Sequence, residues 1–300
     1  MQTRRMPRHA EEPVSSLPSF GRIGELACEA LLLELDTWPK PGLVSYRDSG
    51  SHVDMDAGMF STSARALRPY FEELAEAGAA DAEMEELRAI GRAAERAMLE
   101  ATAGVNTHRG AIFGLGLLCA AAGAISSGQA RLLPGGSLGD FVRDRWGSAI
   151  LNGPIPTQSH GSKMRLRYGA GGARGEAATG FPHVYRTGLP ALRTGCCLAH
   201  GDRNAARSHT CFALIAELQD TNLLYRTGEA GMLFAQVTAR KFLSEGGVGR
   251  RDWHARALKI HRQFVLRWLS PGGCADLLAA TLLVSALEAA GLPGAPPQSS

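Results

Sequence analysis

Four consecutive polar side chains, Asn106, Thr107, His108 and Arg109, stand between Gly104 and Gly110 and lead straight into an apolar segment, residues 111–124. With Asn106 or Thr107 in the capping position, this pattern starts a helix. It puts open backbone N–H groups, the positive end of the helix dipole, an imidazole and a guanidinium in one place. That is chemistry for holding an anion, a phosphate foremost. The same pattern also describes an ordinary capped helix with an incidental histidine, and this stretch alone leaves both readings open.

Four further stretches carry groups of matching chemistry. Lysine is rare, occurring only at 40, 163, 241 and 259, and Lys40 lies between Pro39 and Pro41. Flanking prolines hold the backbone extended, so this spacing predicts a stiffly presented ammonium suited to a phosphate, or else a rigid helix exit with a solvent-facing lysine. His52, Asp54 and Asp56 alternate with apolar residues and would share one face of an extended loop. An imidazole and two carboxylates suit a hard divalent cation such as Mg²⁺, and Asp56 also suits the N-cap of the next helix. Residues 168–176 are glycine-rich, yet no G-K-[ST] follows, and no predicted strand precedes them as a dinucleotide fold requires. They predict a flexible backbone that brings Arg174 and Glu176 close to a ligand, with His160 upstream able to cover the same pocket. Asp220, Asn222 and Arg226 interrupt two apolar runs, as oxygen ligands and a cation or as a capping turn. His254 and His261, seven residues apart within a helical run, read as structural.

The elements that position these groups are helices. Apolar residues recur at three- and four-residue spacing over 23–35, 64–77, 82–99, 111–125, 211–218, 230–243, 254–268 and 275–290, with one short helix around 138–146. Ala, Leu, Arg and Glu fill these runs, and no alternating strand pattern stands out. The expected fold class is all-α, a single compact multi-helix domain over residues 20–290 with long functional loops. Residues 1–19 and 291–300 read as disordered tails. Helical bundles usually manage with short turns, so recurring long polar loops invite a reading as a site.

Bulk properties exclude several classes. The 300 residues are 45% hydrophobic and 20% charged with net charge +3, too small a surplus to argue for nucleic acid. Six cysteines without C-x-x-C spacing argue for a reducing compartment and against a disulfide or zinc framework. No uninterrupted apolar run reaches membrane-spanning length, and the first residues lack the apolar core of a secretory signal. These features predict a cytoplasmic protein with no membrane or nucleic-acid partner.

Taken in order, residues 39–44, 51–56, 104–113, 172–177 with 180–182, 220–222 and 270–278 resemble the triphosphoribosyl-dephospho-CoA synthase family. The resemblance covers roughly residues 24–288, and the wording at 49–56 and 67–71 is closer to the malonate decarboxylase branch than to the citrate lyase branch. Arg109 stands where many members have lysine, Gln219 replaces an acidic residue, Thr227 a glycine and Cys274 a serine. The Gln219 change puts a two-carboxylate role at that turn in doubt.

The resemblance implies transfer of the triphosphoribosyl group of ATP to the 2'-hydroxyl of 3'-dephospho-CoA with loss of adenine. It also implies Mg²⁺ with the ATP and a downstream holo-acyl-carrier-protein synthase, and a homo-oligomer is compatible with it. On that reading Lys40, Asn106, Thr107, Arg109, Arg174 and Arg226 bind substrate and phosphate. Asp54, Asp56 and Asp220 hold the metal. Glu176 is the first choice of general base, with His108 and His52 as competitors. A Mg²⁺-dependent nucleotide or ADP-ribose-type hydrolase is the alternative enzyme, and a helical chaperone for a nucleotide-bearing acyl carrier protein the non-enzymatic one.

Overall fold

The computed structural model describes residues 17–154, 164 and 167–294, and among them it holds eleven α-helices and no strand. Helix α1 is Phe20–Asp36, α2 Ala57–Ala79, α3 Met84–Ala101, α4 Arg109–Ser126 and α5 Leu138–Asn152. After them come α6 Gly172–Ala178, α7 Leu189–Leu198, α8 Arg203–Glu217, α9 Thr221–Ser244, α10 Trp253–Leu266 and α11 Gly272–Ala289. A π-helical turn, Val184–Gly188, precedes α7, and a 3₁₀ turn, Gly247–Gly249, follows α9.

Helix α4 is buried almost without interruption from Ala111 to Ile125, which its all-round apolar sequence requires. It packs on α2 at backbone range. A Cβ on Gly78 of α2 would lie 1.9 Å from the Ala120 carbonyl oxygen, and one on Gly123 of α4 would lie 1.9 Å from the Ala75 carbonyl oxygen. Helix α1 joins this pair through Ile23, Ala27 and Leu31, and Gly24 brings its backbone close to Arg68 of α2. Helix α11 is the second apolar centre, with Leu278 through Val284 all buried. By length and composition alone α4 and α11 could each cross a membrane, but most of each is buried within this helical core.

Five local features differ from the sequence expectation. The glycine-rich stretch is not an open loop at its end: Gly172–Ala178 is helical and carries Arg174 and Glu176. Residues 184–198 add the π-helical turn and α7. Helix α8 starts at Arg203, well before the apolar run, because it buries Arg207 and Ser208 against polar partners, with His209 and Thr210 buried beside them. Arg207, for example, donates to the Thr37 hydroxyl and the Asp36 carboxylate. Helix α9 breaks at Gly228, whose φ of 65° and ψ of −167° suit glycine alone. Leu292, inside the expected tail, is buried.

Candidate active site

A cavity of about 1130 Å³ opens where the first turns of α4, α9 and α11 meet α3, α6 and the loop before α2. Nine of the twelve residues singled out from the sequence line it: His52, Asp54, Asn106, Thr107, His108, Arg109, Arg174, Glu176 and Arg226. His160 lies outside the described residues.

The 106–109 group is organised as a capped helix start facing this space. The Asn106 side chain accepts the Arg109 N–H at 3.1 Å, so Asn106 supplies the cap. Thr107 donates to the Ser63 hydroxyl at 2.9 Å, and Ser63 in turn bonds His108 Nδ1 at 2.7 Å. His108 is buried against Phe60, and burial, helped by the nearby Lys40 charge, lowers its pKa to about 3. Its imidazole is therefore neutral near pH 7. Arg109 is half-exposed and meets Glu95 of α3 at 3.1 Å.

Two further guanidiniums on the wall serve the backbone. Arg174 reaches the carbonyls of Ile150, Gly153 and Pro154 and closes the C-terminal end of α5. Arg226 donates to the carbonyls of Ser51 and Trp268, joining the loop before α2 to the end of α10. His52 bonds the Ser270 hydroxyl at 2.8 Å and sits 3.5 Å from Asp54, and burial together with the Arg226 charge lowers its pKa. Both Glu176 oxygens are held by His183, one by its backbone N–H and one by Nδ1, each at 2.7 Å. That bond raises the His183 pKa.

Three expected site residues do not line the cavity. Lys40 is fully buried rather than presented: its ammonium donates to the Glu34 carboxylate and to the Glu34 carbonyl oxygen. The side chain turns inward to Glu34 of α1, and His261 fixes the turn by bonding the Lys40 carbonyl and the Asp48 carboxylate. Asp56 caps α2 by accepting the Met59 N–H. Asp220 staples two helix starts, with Oδ1 accepting from Asn222 and Leu223 of α9 and Oδ2 accepting from Cys274 of α11.

The expected Mg²⁺ set of Asp54, Asp56 and Asp220 is therefore not assembled. Among the described residues no three His, Cys, Asp or Glu side chains converge as a metal group. The donor groups present do not fit a three-carboxylate site built by the protein.

The cavity wall adds residues that sequence reasoning had not assigned: Glu34, Arg88, Arg92, Glu95, Ser270 and Asp276. Asp276 lies within a recognised stretch, but only the fold shows its surroundings. It sits in the first turn of α11 with Oδ2 so close to α4 that a Cβ on Gly110 would lie 2.0 Å away. It accepts the Ala111 N–H, while burial and the neighbouring Asp220 and Glu34 hold its pKa well above the usual carboxylate range. Gly110 is thus the local signal: it makes room for that carboxyl.

The family model described as CitG: ATP:dephospho-CoA triphosphoribosyl transferase matches residues 20–293. The chain belongs to this family. A relative from Pseudomonas fluorescens (strain Pf0-1), named probable 2-(5''-triphosphoribosyl)-3'-dephosphocoenzyme-A synthase, is 41% identical over 285 residues, covering 90% of this chain and 93% of the relative. Proteins of the same name from Stutzerimonas stutzeri (strain A1501) and Vibrio cholerae serotype O1 (strain M66-2) are 39% and 37% identical. Both alignments cover 90% of this chain, with 92% and 88% of the respective relatives. No solved structure matches the chain. The family match spans α1 through α11, so every wall of the cavity lies inside it.

Proposed function

We propose that the chain transfers the 5-triphosphoribosyl group of ATP to the 2'-hydroxyl of 3'-dephospho-CoA and releases adenine. One observation carries the reading beyond family membership: the separate polar stretches of the sequence meet on one cavity large enough for nucleotide substrates. In this reading the start of α4 receives phosphate, attracted by the Arg109 guanidinium and by the positive end of the helix dipole. Arg92, lining the same wall from α3, adds a second guanidinium. Arg174 and Arg226 hold the cavity's frame through backbone carbonyls rather than gripping substrate.

Displacement of adenine at C1'' passes through an oxocarbenium-like state that a fixed carboxylate stabilises. Glu176, clamped by His183, is the base for the incoming hydroxyl. A divalent cation, where one accompanies the triphosphate, would find Asp54 on the cavity wall rather than a trio of carboxylates. The product is read as the prosthetic-group precursor for malonate decarboxylase, on the wording at residues 49–56 and 67–71.

A transferase and a hydrolase part company when the acceptor is withheld. With ATP alone the protein should release little adenine, and adding 3'-dephospho-CoA should raise release at least tenfold. Equal release with and without acceptor would mark a hydrolase instead. Glu176→Gln, followed by separate measurements of ATP binding and adenine release, tests the base: release near the wild-type rate would remove Glu176 from that role.

A further inference from the structure

Three buried or part-buried carboxyls, those of Glu34, Asp220 and Asp276, lie close enough to influence one another's ionisation through like charge. Their partners differ. Burial raises the pKa of Glu34, and the Lys40 ammonium that it faces opposes this by favouring the ionised form. Burial raises the pKa of Asp220 too, against three backbone N–H groups at the starts of α9 and α11 that favour the carboxylate. Among the described residues Asp276 has the Ala111 N–H as its one donor and forms no ion pair. When like charges crowd together, the proton stays on the group with the least compensation, which here is Asp276. Asp276 is also the one of Asp220 and Asp276 that lines the cavity, in the slot left by Gly110.

We propose that Asp276 is the general acid that protonates adenine as it leaves. The inference rests on the transfer reaction proposed above. In the step, the C1''–N9 bond breaks with its electron pair passing to the purine, and the Asp276 proton goes to a ring nitrogen, so adenine departs neutral. The C1''–O2' bond forms, and the hydroxyl proton goes to Glu176. Exchange with water returns a proton to Asp276 and removes one from Glu176, so the net change moves the hydroxyl proton to adenine.

An ATP methylated at N7 of its purine provides the test, because 7-methyladenine leaves as a neutral base without taking up a proton. Wild-type protein forming product from ATP and 3'-dephospho-CoA upholds the transfer reading by itself, and a failure at that stage would count against that reading. In Asp276→Asn, adenine release from ATP should fall about 100-fold or more. Release from the methylated substrate should stay within about fivefold of wild type, well below the loss of about 100-fold or more expected when acid catalysis is removed. Thermal unfolding and the Kd for ATP verify the variant's fold. Equal losses on both substrates would overturn the proposal.

Should Asp276→Asn not fold, the wild-type pH profile decides. The groups facing Asp276 are Glu34 from α1, Asp220 at the start of α9, Cys274 on its own helix and the Ala111 N–H from α4. An acid works only while protonated, so kcat on ATP should fall as pH rises through the Asp276 pKa, and this limb should vanish with the methylated substrate. The same limb with both substrates would contradict the assignment.

Discussion

An ammonium taken out of water needs a partner, and Lys40 finds one in Glu34, so both members of the pair depend on each other. Lys40→Met should leave the Glu34 carboxylate uncompensated and cost about 3–5 kcal/mol. Glu34→Gln combined with Lys40→Met should recover most of that loss, as read by denaturant unfolding. A Lys40→Met protein of wild-type stability that merely loses ATP binding would return Lys40 to the substrate. The sequence showed that this lysine is unusual and rigidly held, but two prolines define a path and not a direction. Only the packing of α1 against the turn decides which way the side chain points.

His108 gives a second prediction at this scale. An unfolded histidine takes up a proton near pH 6.5, whereas His108 in the folded protein does so only near pH 3. The unfolded state therefore binds more protons between these values. The stability His108 contributes is complete above pH 6.5 and declines as pH falls, by about 1.4 kcal/mol per unit within that window. Unfolding curves from pH 7.5 to 5 should be less steeply pH-dependent in His108→Gln than in wild type. Identical slopes would mean that His108 titrates as it does in the unfolded chain.

At the scale of elements, helix existence was legible wherever an apolar face repeats. The runs at 23–35, 82–99 and 111–125 correspond to α1, α3 and α4 with ends shifted by a few residues. What stayed hidden were helices whose inward faces are polar or small. The start of α8 buries an arginine and a histidine, and α6 is built from Gly172, Ala173, Arg174, Gly175, Glu176, Ala177 and Ala178. Low intrinsic helix propensity there is overcome by packing, which no local pattern reports.

Helix contacts at backbone range make a sharp prediction about glycine. Gly78→Ala or Gly123→Ala should destabilise by about 1–3 kcal/mol or more, since a methyl has nowhere to go between α2 and α4. Gly91→Ala on α3 meets nothing within 4 Å and should stabilise by about 0.5–1 kcal/mol through backbone entropy alone. Comparable melting temperatures for all three variants would contradict the α2–α4 geometry. Gly228→Ala, forced into a conformation that only glycine tolerates, should loosen the first turns of α9 and the Arg226 bridge with them.

For the whole molecule, the residues that line the cavity were largely readable and their duties were not. Asn106, Thr107, His108, Arg109 and Glu176 belong to polar stretches that a helical scaffold does not need, so they stood out. Whether a carboxylate is a free ligand or a helix cap depends on which N–H groups reach it, and Asp56 and Asp220 both proved to be caps. Asp276 went unassigned for the opposite reason, as a single acid at the head of an apolar helix whose meaning comes from Gly110, Glu34 and Asp220 across three other elements.

Transfer of the ATP ribose with its triphosphate intact separates this reaction from phosphoryl transfer. ATP labelled with ³²P at the γ position, incubated with the protein and 3'-dephospho-CoA, distinguishes the two. All the label consumed from ATP should appear in a dephospho-CoA adduct, in a one-to-one ratio with free adenine. Label recovered as orthophosphate or pyrophosphate, with the purine still attached to its ribose, would contradict it.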